Sequence, residues 1–254
     1  IEQGRVMNAR EVQNLPLITQ NPYNFAFLQS NVTGNRTAVP GQGFANVNAN
    51  GFSRRGTYQL DGSNATDVTM GGVRMLIISK SHIQEVQLLT NGMNAEFGAT
   101  VGHTMNVVTP SGTNSLRGNV GYQFRRSGFA ARQFNAPPGS PSYQPYADIS
   151  TAAIGGPLIN DRWHYYAGFE GYKWDLTSAA RAITISPANK QALIAAGVPA
   201  SAMPDSYAAP EIFRFYIGRT DVQLDSSNRL GVRFLLSNGT AAKLGIGATP
   251  GNTL

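Results

Sequence analysis

The residue types most often used in catalysis are few in this sequence and are widely separated. Its three histidines, His82, His103 and His164, lie in unrelated contexts, and their spacing matches no metal-binding motif. The chain contains no cysteine, which excludes a thiol nucleophile, a Cys-based zinc site and a disulfide framework. We therefore predict that the chain is not an enzyme and that it has no catalytic residue, metal site or cofactor.

Two short segments superficially resemble ligand-binding loops. Asp61-Gly62-Ser63-Asn64-Ala65-Thr66-Asp67 carries acidic and amide side chains like a calcium loop, but it lacks the Gly and the terminal Glu of that motif. Gly41-Gln42-Gly43 is too short for a dinucleotide loop, and no βαβ pattern surrounds it. We interpret Asp61-Gly62 as a turn and Gly41-Gln42-Gly43 as part of a loop.

The charge pattern argues against a nucleic-acid-binding protein. The net charge is +6, but charged residues make up only 13 % of the chain. The cationic residues are scattered, with pairs only at Arg54-Arg55 and Arg125-Arg126, and there is no basic helix or Lys/Arg run. A solvated basic surface accounts for this pattern, and we expect no nucleic-acid partner.

Residues 1–110 mix short elements, and residues 111–254 show repeated two-residue alternation. In the first part we predict a strand followed by a turn at 12–18, a short helix from Asn21-Pro22 to Leu28, a loop at 33–50, and strands at 55–60, 83–89 and 104–109. In the second part, apolar and polar residues alternate along 116–124, 163–169 and 230–236, and less regularly along 147–158 and 211–224. Each of these five segments is predicted to be a strand.

The connections between the predicted strands alternate in length. A long segment at 127–145 is followed by a tight turn at Asn160-Asp161, a long segment at 177–210 with a capped helix after Ser186-Pro187, and a tight turn at 225–228. Short turns at one end and long loops at the other are typical of a transmembrane β-barrel, although a soluble sandwich can also mix loop lengths. Aromatic residues near the strand ends suit either an interfacial girdle or a sandwich core; these are Trp163, Tyr165, Tyr166, Tyr172 and Trp174.

Six groups of residues, in order and at compatible spacing, resemble the Oar-like TonB-dependent outer-membrane receptors. They are 11–16 (EVQNLP), 51–64 (GFSRRGTYQLDGSN), 83–92 with 94–98 (IQEVQLLTNG, NAEFG), 105–114 (MNVVTPSGTN, with Pro110 where Lys is usual), 155–158 (GGPL) and 168–172 (GFEGY). The resemblance covers most of residues 1–175. The chain begins at Ile1 without a signal sequence and ends in a Gly/Ala/Thr-rich stretch, which we interpret as cuts through a longer protein.

The resemblance implies a fold class of an α+β plug domain followed by antiparallel β-strands of an incomplete transmembrane β-barrel. The plug is expected at residues 1–110 and the first barrel strands and loops at 111–254. About five strands are present, whereas a complete transporter has about 22. The implied location is the bacterial outer membrane, where the barrel contacts lipid.

The resemblance also implies a function. It predicts energised uptake of a polar solute, in which the plug gates the barrel lumen and the TonB complex acts through a segment that is missing before Ile1. The alternative on the same scaffold is an Oar-like surface protein with an adhesive or secretion-related structural role. A soluble all-β binding module is a third hypothesis. The solute remains open among siderophores, oligosaccharides, peptides and vitamin B12.

The candidate site residues are polar members of the predicted plug. The loops at 33–50 and 63–72 match, by position, plug loops that help to contact substrate, or they merely fill the lumen. The substrate-contact candidates are Asn35, Arg36, Asn64, Thr66 and Asp67. The candidates for polar contacts between plug and barrel are Arg54, Arg55 and Glu96.

Overall fold

The computed structural model describes residues 3–15, 17, 21–35, 46–53, 55–67, 73–74, 78–91, 100–126, 129, 146–175, 187–200 and 210–241. The helices are α1 (Ala9–Asn14), α2 (Pro187–Ala195) and two 3-10 helices, Pro22–Leu28 and Lys80–His82. The strands are β1 (Gln3–Asn8), β2 (Val32–Asn35), β3 (Asn46–Ala49), β4 (Phe52–Ser53), β5 (Gly56–Leu60), β6 (Ser63–Asn64), β7 (Thr66–Asp67), β8 (Val73–Arg74), β9 (Glu85–Asn91), β10 (His103–Val108), β11 (Arg117–Arg125), β12 (Tyr146–Ile159), β13 (Trp163–Asp175), β14 (Pro210–Gln223) and β15 (Arg229–Ala241).

The chain divides into two compact units, and each is built from several stretches of sequence. The first consists of Ile1–Asn119, Ala152–Glu170 and Phe215–Ser237. The second consists of Val120–Thr151, Gly171–Arg214 and Asn238–Leu254. The first unit therefore includes the N-terminal sheet and the parts of β12 to β15 that adjoin the tight turns. The predicted domain boundary after residue 110 stays a prediction.

A mixed five-stranded sheet forms the centre of the first unit, with the order β1-β9-β10-β5-β6. β10 pairs in parallel with β5, whereas β9 pairs antiparallel with both β1 and β10. Val86, Leu88 and Thr90 are the buried members of β9, so this strand has one inward face despite its mixed sequence. Buried residues such as Met105 and Val107 of β10 extend the same core.

The predicted strand at 12–18 is wrong in its first half, where the structure has α1. The helix begins after Asn8, whose side-chain Oδ1 accepts a hydrogen bond from the Glu11 N–H at 3.0 Å, while Glu11 Oε2 accepts one from the Asn8 N–H at 3.1 Å. This capping box satisfies N–H groups that would otherwise be left without partners. The helix ends at Asn14, and the following Leu15 is extended, as expected for a residue before proline.

The predicted loop at 33–50 is also partly strand. β2 and β3 pair antiparallel, with Val32 opposite Ala49 and Gly34 opposite Val47. Val32, Val47 and Ala49 are buried in the core, whereas the intervening residues are polar. Asn and Gly residues are depleted in strands generally, and here the few apolar side chains between them hold the hairpin on the core.

The five strands predicted beyond residue 111 are all present, and their order in the sheet follows the chain, β11-β12-β13-β14-β15. They are 9 to 14 residues long. The tight turns are formed as expected, with Asp161 at a φ of 60° and Asp225 Oδ1 accepting hydrogen bonds from the N–H groups of Ser227 and Asn228. The capped helix is α2, after which Gly197 takes a φ of 90°. Apart from residues 129, 187–200 and 210, the two long predicted loops lie outside the described residues.

One face of these strands exposes large apolar side chains. On β15 the exposed residues are Leu230, Val232, Phe234 and Leu236, and beside or within β11 they are Leu116, Val120, Tyr122 and Phe124. The opposite face of β14 is buried, first through Phe215 and Ile217 and then through Asp221. The alternation predicted from sequence is therefore present, but the apolar exposed face is the reverse of what a water-soluble sheet requires. Among the described residues, no helix combines the length and apolar character needed to cross a bilayer.

Gly56 and His103 are matched residues at the start of paired strands. They lie opposite each other in the β5–β10 register, and a Cβ at position 56 would overlap the imidazole ring of His103. The ring also packs edge-to-face on Tyr58, with 5.3 Å between ring centroids. Glycine at position 56 is thus required for His103 to be fully buried.

We predict that Gly56→Ala destabilises the refolded chain by roughly 1–3 kcal/mol, because overpacking forces the His103 ring or the backbone to move. The matched control is Gly218→Ala, since no atom lies within 4 Å of a Cβ placed there. Urea unfolding of both variants in detergent measures the difference. Equal effects of the two substitutions would contradict the steric explanation.

Burial lowers the pKa of His103 from its ordinary value of 6.5 to about 4. The folded state therefore binds this proton less readily than the unfolded state. The stability contributed by neutral His103 is complete above pH 6.5, and it decreases as the pH falls towards 4. We expect a loss of roughly 3 kcal/mol across that interval. His103→Leu should remove this part of the pH dependence of urea unfolding; an unchanged pH profile would refute the assignment.

Candidate functional site

Three of the substrate-contact candidates, Asn64, Thr66 and Asp67, are close together in the sequence. The structure gives Thr66 a structural role. Thr66 Oγ1 accepts a hydrogen bond from the Tyr58 N–H at 2.8 Å and donates to the Tyr58 carbonyl at 3.1 Å. Asn64 is exposed, and its Oδ1 accepts a hydrogen bond from the Thr66 N–H at 3.0 Å. Asp67 follows in β7, which pairs with β8. The Thr66 hydroxyl is hydrogen-bonded to the backbone of Tyr58, whereas the side chain of Asn64 is exposed to solvent.

The remaining candidates are separate from this group or outside the described residues. Asn35 ends β2 and lies opposite Asn46 in a different sheet. Arg36, Arg54 and Glu96 lie outside the described residues. Arg55 is exposed, and its carbonyl accepts hydrogen bonds from the Gly102 N–H at 3.0 Å and from Thr100 Oγ1 at 3.1 Å. The predicted roles of these residues stay predictions.

A different set of residues joins the N-terminal sheet to β14 and β15, and we call it the Asp61 cluster: Asp61, Thr109, Arg219, Asp221, Arg229 and Arg233. Asp61 follows β5 with a φ of 48°, which turns its carboxylate towards the end of β10. Its two oxygens accept hydrogen bonds from the Thr109 N–H and hydroxyl, both at 2.7 Å. Arg233 of β15 forms an ion pair with the same carboxylate. With 14 % of the Asp61 side chain exposed, these bonds are made largely out of water.

The arginines of the Asp61 cluster are themselves held in place. Arg219 Nη1 donates to the Thr109 carbonyl at 3.1 Å, and Arg219 Nε donates to Asp221 Oδ2 at 2.8 Å. Asp221 also pairs with Arg229, at 3.2 Å from Nη2 to Oδ1. The result is an alternating chain of charges in which each carboxylate has at least one guanidinium partner.

A second contact is made by the segment Ser79–His82, which we call the docking loop. The Ser81 hydroxyl donates to Oε2 of Glu170, a residue of β13 that is fully buried. His82 Nδ1 lies 3.1 Å from the Tyr166 hydroxyl, and a Cβ at Gly168 would come within 2.5 Å of the His82 ring. Tyr166, Gly168 and Glu170 alternate along one face of β13 and form a shaped socket.

Lys80 lies in the docking loop and is only 7 % exposed. Its Nζ donates to the Leu15 carbonyl at 3.0 Å, and its own carbonyl accepts a hydrogen bond from Gln13 Nε2 at 2.9 Å. Burial lowers the pKa of Lys80, and attraction to the Glu170 carboxylate partly opposes that effect. The docking loop is thus bonded to α1 on one side and to β13 on the other.

Asn114 makes a third polar contact, after β10 and before β11. Its Oδ1 accepts a hydrogen bond from the Asp161 N–H at 2.8 Å and lies 2.7 Å from His164 Nε2. Its Nδ2 donates to Asp161 Oδ1. These residues line a cleft of about 360 Å³ that also includes Arg162 and other polar side chains. Among the described residues, no group of three or more His, Cys, Asp or Glu is arranged to hold a metal ion.

Sequence reasoning missed most of these contacts. The sequence predicts a turn at Asp61, but it gives Arg233 and Glu170 no role. A signal was present in β14, where odd positions change from Phe215 and Ile217 to Arg219 and Asp221 without leaving the buried face. A charged residue at a position that alternation makes inward-facing is a sign of a buried ion pair.

Comparisons with known proteins agree with this architecture. Residues 108–210 match the family described as "Outer membrane beta barrel domain". The TonB-dependent transporter Oar of Myxococcus xanthus is 30 % identical over an alignment of 124 residues that covers 44 % of this chain and 11 % of that protein. The resemblance to the Oar-like TonB-dependent receptors is confirmed. These matches also indicate the bacterial outer membrane as the location of this receptor relative.

Solved receptors of this kind share the fold. The outer membrane transporter YddB of Escherichia coli superposes with a TM-score of 0.69 at 14 % identity, covering 94 % of this chain and 33 % of YddB. The pyoverdine receptor FpvA of Pseudomonas aeruginosa superposes with a TM-score of 0.60 at 15 % identity, covering 94 % of this chain and 28 % of FpvA. At such identities the likeness concerns the fold alone. The chain spans about a third of YddB. These relatives are described as transporters and receptors.

We predict that Asp61→Asn destabilises the refolded chain by roughly 2 kcal/mol, because it leaves largely buried guanidinium groups without their carboxylate. Asparagine tolerates the positive φ of this position, so the substitution tests charge rather than backbone strain. Asp225→Asn, in a fully exposed turn, is the matched control and should have little effect. Urea unfolding in detergent checks both, and a loss for Asp61→Asn no greater than that for the control would show that the ion pair is unimportant.

Proposed function

We propose that this chain is part of an outer-membrane TonB-dependent transporter that takes up a polar solute. Residues 1–110 act as a plug, and residues 111–254 supply the first strands of the surrounding barrel. The observation that carries the proposal is that β13 to β15 have one polar face and one apolar face. Their polar and charged inner side chains bond to the N-terminal sheet, while apolar side chains are exposed on the other face.

The exposed apolar face supports a membrane-spanning wall. Val232, Phe234 and Leu236 of β15 are each about half exposed or more, which would be costly in water over a whole strand. In a bilayer this face meets hydrocarbon. Strand lengths of 13 and 14 residues for β13, β14 and β15 exceed the roughly 9–11 residues that a tilted crossing needs.

The chemistry of the inner contacts supports a plug that can move. Asp61, Arg219 and Arg233 are joined by ion pairs and hydrogen bonds instead of by a continuous apolar interface. When such groups separate in a hydrated lumen, water can replace each lost partner, so the free-energy cost is moderate. In an apolar interface of similar size, water does not replace the lost contacts, so separation costs more free energy.

The energy source and the solute follow from the same proposal. The TonB complex supplies the force, acting on a segment before the plug. Two solved relatives are receptors for ferric enterobactin and pyoverdine, so iron-chelating polar compounds are the first solutes to test here. Of the predicted contact residues, Asn64 remains the best candidate, because it is exposed and the Thr66 hydroxyl is occupied by Tyr58; Asp67 is proposed as a further contact. Asn35 and Arg36 are proposed as further contacts.

The deciding experiment compares uptake in cells with and without the full-length gene. Uptake of a panel of labelled ferric siderophores is measured with and without an uncoupler of the proton gradient. The proposal predicts that uptake of at least one compound requires both the gene and the gradient. Unchanged uptake together with loss of surface attachment would favour the adhesive alternative, which no comparison favours.

A second prediction concerns the closed state of the plug. Arg219→Ala with Arg233→Ala should loosen the plug and raise the permeability of the outer membrane to bulky polar antibiotics such as vancomycin several-fold, because both arginines that pair with Asp61 are lost. Arg214→Ala is the matched control, since Arg214 is exposed and lies on the other face of β14. Growth inhibition by vancomycin measures the effect. Equal sensitivity of the double variant and the control would contradict a gating role for the Asp61 cluster.

A further inference from the structure

Lys80 belongs to the segment that contacts both the end of α1 and β13. The 3.0 Å bond from Lys80 Nζ to the Leu15 carbonyl joins the docking loop to the residue that follows α1, and the hydroxyl of the adjacent Ser81 donates to Glu170 of β13. Leu15 and Lys80 are 65 residues apart, so this contact is a property of the tertiary structure. Gln13 reinforces it by donating to the Lys80 carbonyl at 2.9 Å.

On β13, the residues that contact the docking loop form a socket in which one carboxylate oxygen has no hydrogen-bond partner. Glu170 is fully buried, and its Oε2 accepts the Ser81 hydroxyl bond, but its Oε1 has no hydrogen-bond partner. His82 Nε2 is likewise buried without a partner beside a cavity of about 10 Å³ that is lined mainly by apolar residues. Ser79 and Ser81 donate hydrogen bonds to the Glu170 carboxylate and Lys80 attracts it, so the docking loop as a whole compensates this buried group.

The position of this ammonium depends on α1. A buried cation needs hydrogen-bond acceptors, and Lys80 finds one in the backbone of Leu15. If α1 frays, that carbonyl moves, and Lys80 loses the bond that fixes its direction. The docking loop then loses its bond to the end of α1, and the adjacent hydrogen bond from Ser81 to Glu170 weakens.

We propose that Lys80 is a positioning residue that couples the integrity of α1 to the docking of Ser79–His82 on β13. Loss of α1 structure loosens the socket, and loss of the socket contact loosens α1, because such coupling is reciprocal. The use of this coupling for opening the plug rests on the proposed function above. The coupling itself is a property of the folded protein and does not depend on transport.

Hydrogen–deuterium exchange on the purified full-length gene product in detergent tests the proposal without any ligand. Asn8→Ala removes the cap of α1 and does not alter the docking loop. We expect it to raise amide exchange about fivefold in α1, the size of a lost helix cap, and to raise exchange in residues 79–84 as well. In a Lys80→Met background, where the link is already broken, Asn8→Ala should cause no further rise in residues 79–84. Lys80→Arg, which retains a cation, should restore part of the response.

A matched control distinguishes the effect of losing the α1 cap from the effect of a general loss of stability. Asn64→Ala removes a similar local bond, from the Thr66 N–H to Asn64 Oδ1, and should leave the docking loop unchanged. The strand pairing of Asn8 with Glu85 offers another route from α1 to this region. If Asn8→Ala raises exchange in residues 79–84 equally with and without Lys80, that route carries the effect and the proposal fails.

Two further outcomes complete the test. A rise confined to α1 also overturns the coupling, whatever the uptake experiment shows. If Asn8→Ala does not fold, Glu11→Ala removes the other half of the capping box and is judged by the same criteria. A positive exchange result together with absent uptake would leave the coupling standing and remove only the proposed function.

Discussion

A carboxylate taken out of water needs cationic or hydrogen-bonding partners, and this constraint explains how the N-terminal sheet is attached to the long strands. Asp61 obtains its partners from Thr109 and Arg233, and Glu170 obtains one from Ser81. In both cases the carboxylate and its partner come from sequence positions far apart. The attachment is therefore specific in direction, because each buried charge is compensated only by its own partner until the two groups separate far enough for water to enter.

The same strands satisfy a second constraint on their other face. A two-residue period places neighbouring side chains on opposite faces, so one strand can meet two environments. β15 does this with Arg233 inward and Phe234 outward. The polar inner face and the apolar outer face of a β-barrel wall arise from this geometry, and they agree with the receptor-like fold.

The strands and tight turns of the C-terminal part could be predicted because their signals are local. The alternation of apolar and polar residues predicted β13 and β15. Asp161 and Asp225 lie in the tight turns, Asp161 with a positive φ and Asp225 with a side chain that accepts a hydrogen bond from the turn backbone. The prediction at 12–18 is wrong in its first half because the capping box of Asn8 and Glu11 starts a helix there, which the apolar spacing around Pro16 does not indicate. The candidate site residues were chosen as polar loop members, and loop polarity alone does not reveal which groups are already bonded, as Thr66 shows.

The sequence by itself determined the strand periodicity, the turn positions, the absence of thiol chemistry and the family resemblance, since each depends on residues close together or on ordered motifs. Only the tertiary structure decided which charges meet. Lys80 approaches Leu15, and Arg233 approaches Asp61 across 172 positions, and no local pattern encodes either pairing. Such contacts follow from the packing of the N-terminal sheet against the strands, where burial selects the few charged side chains that can find a partner.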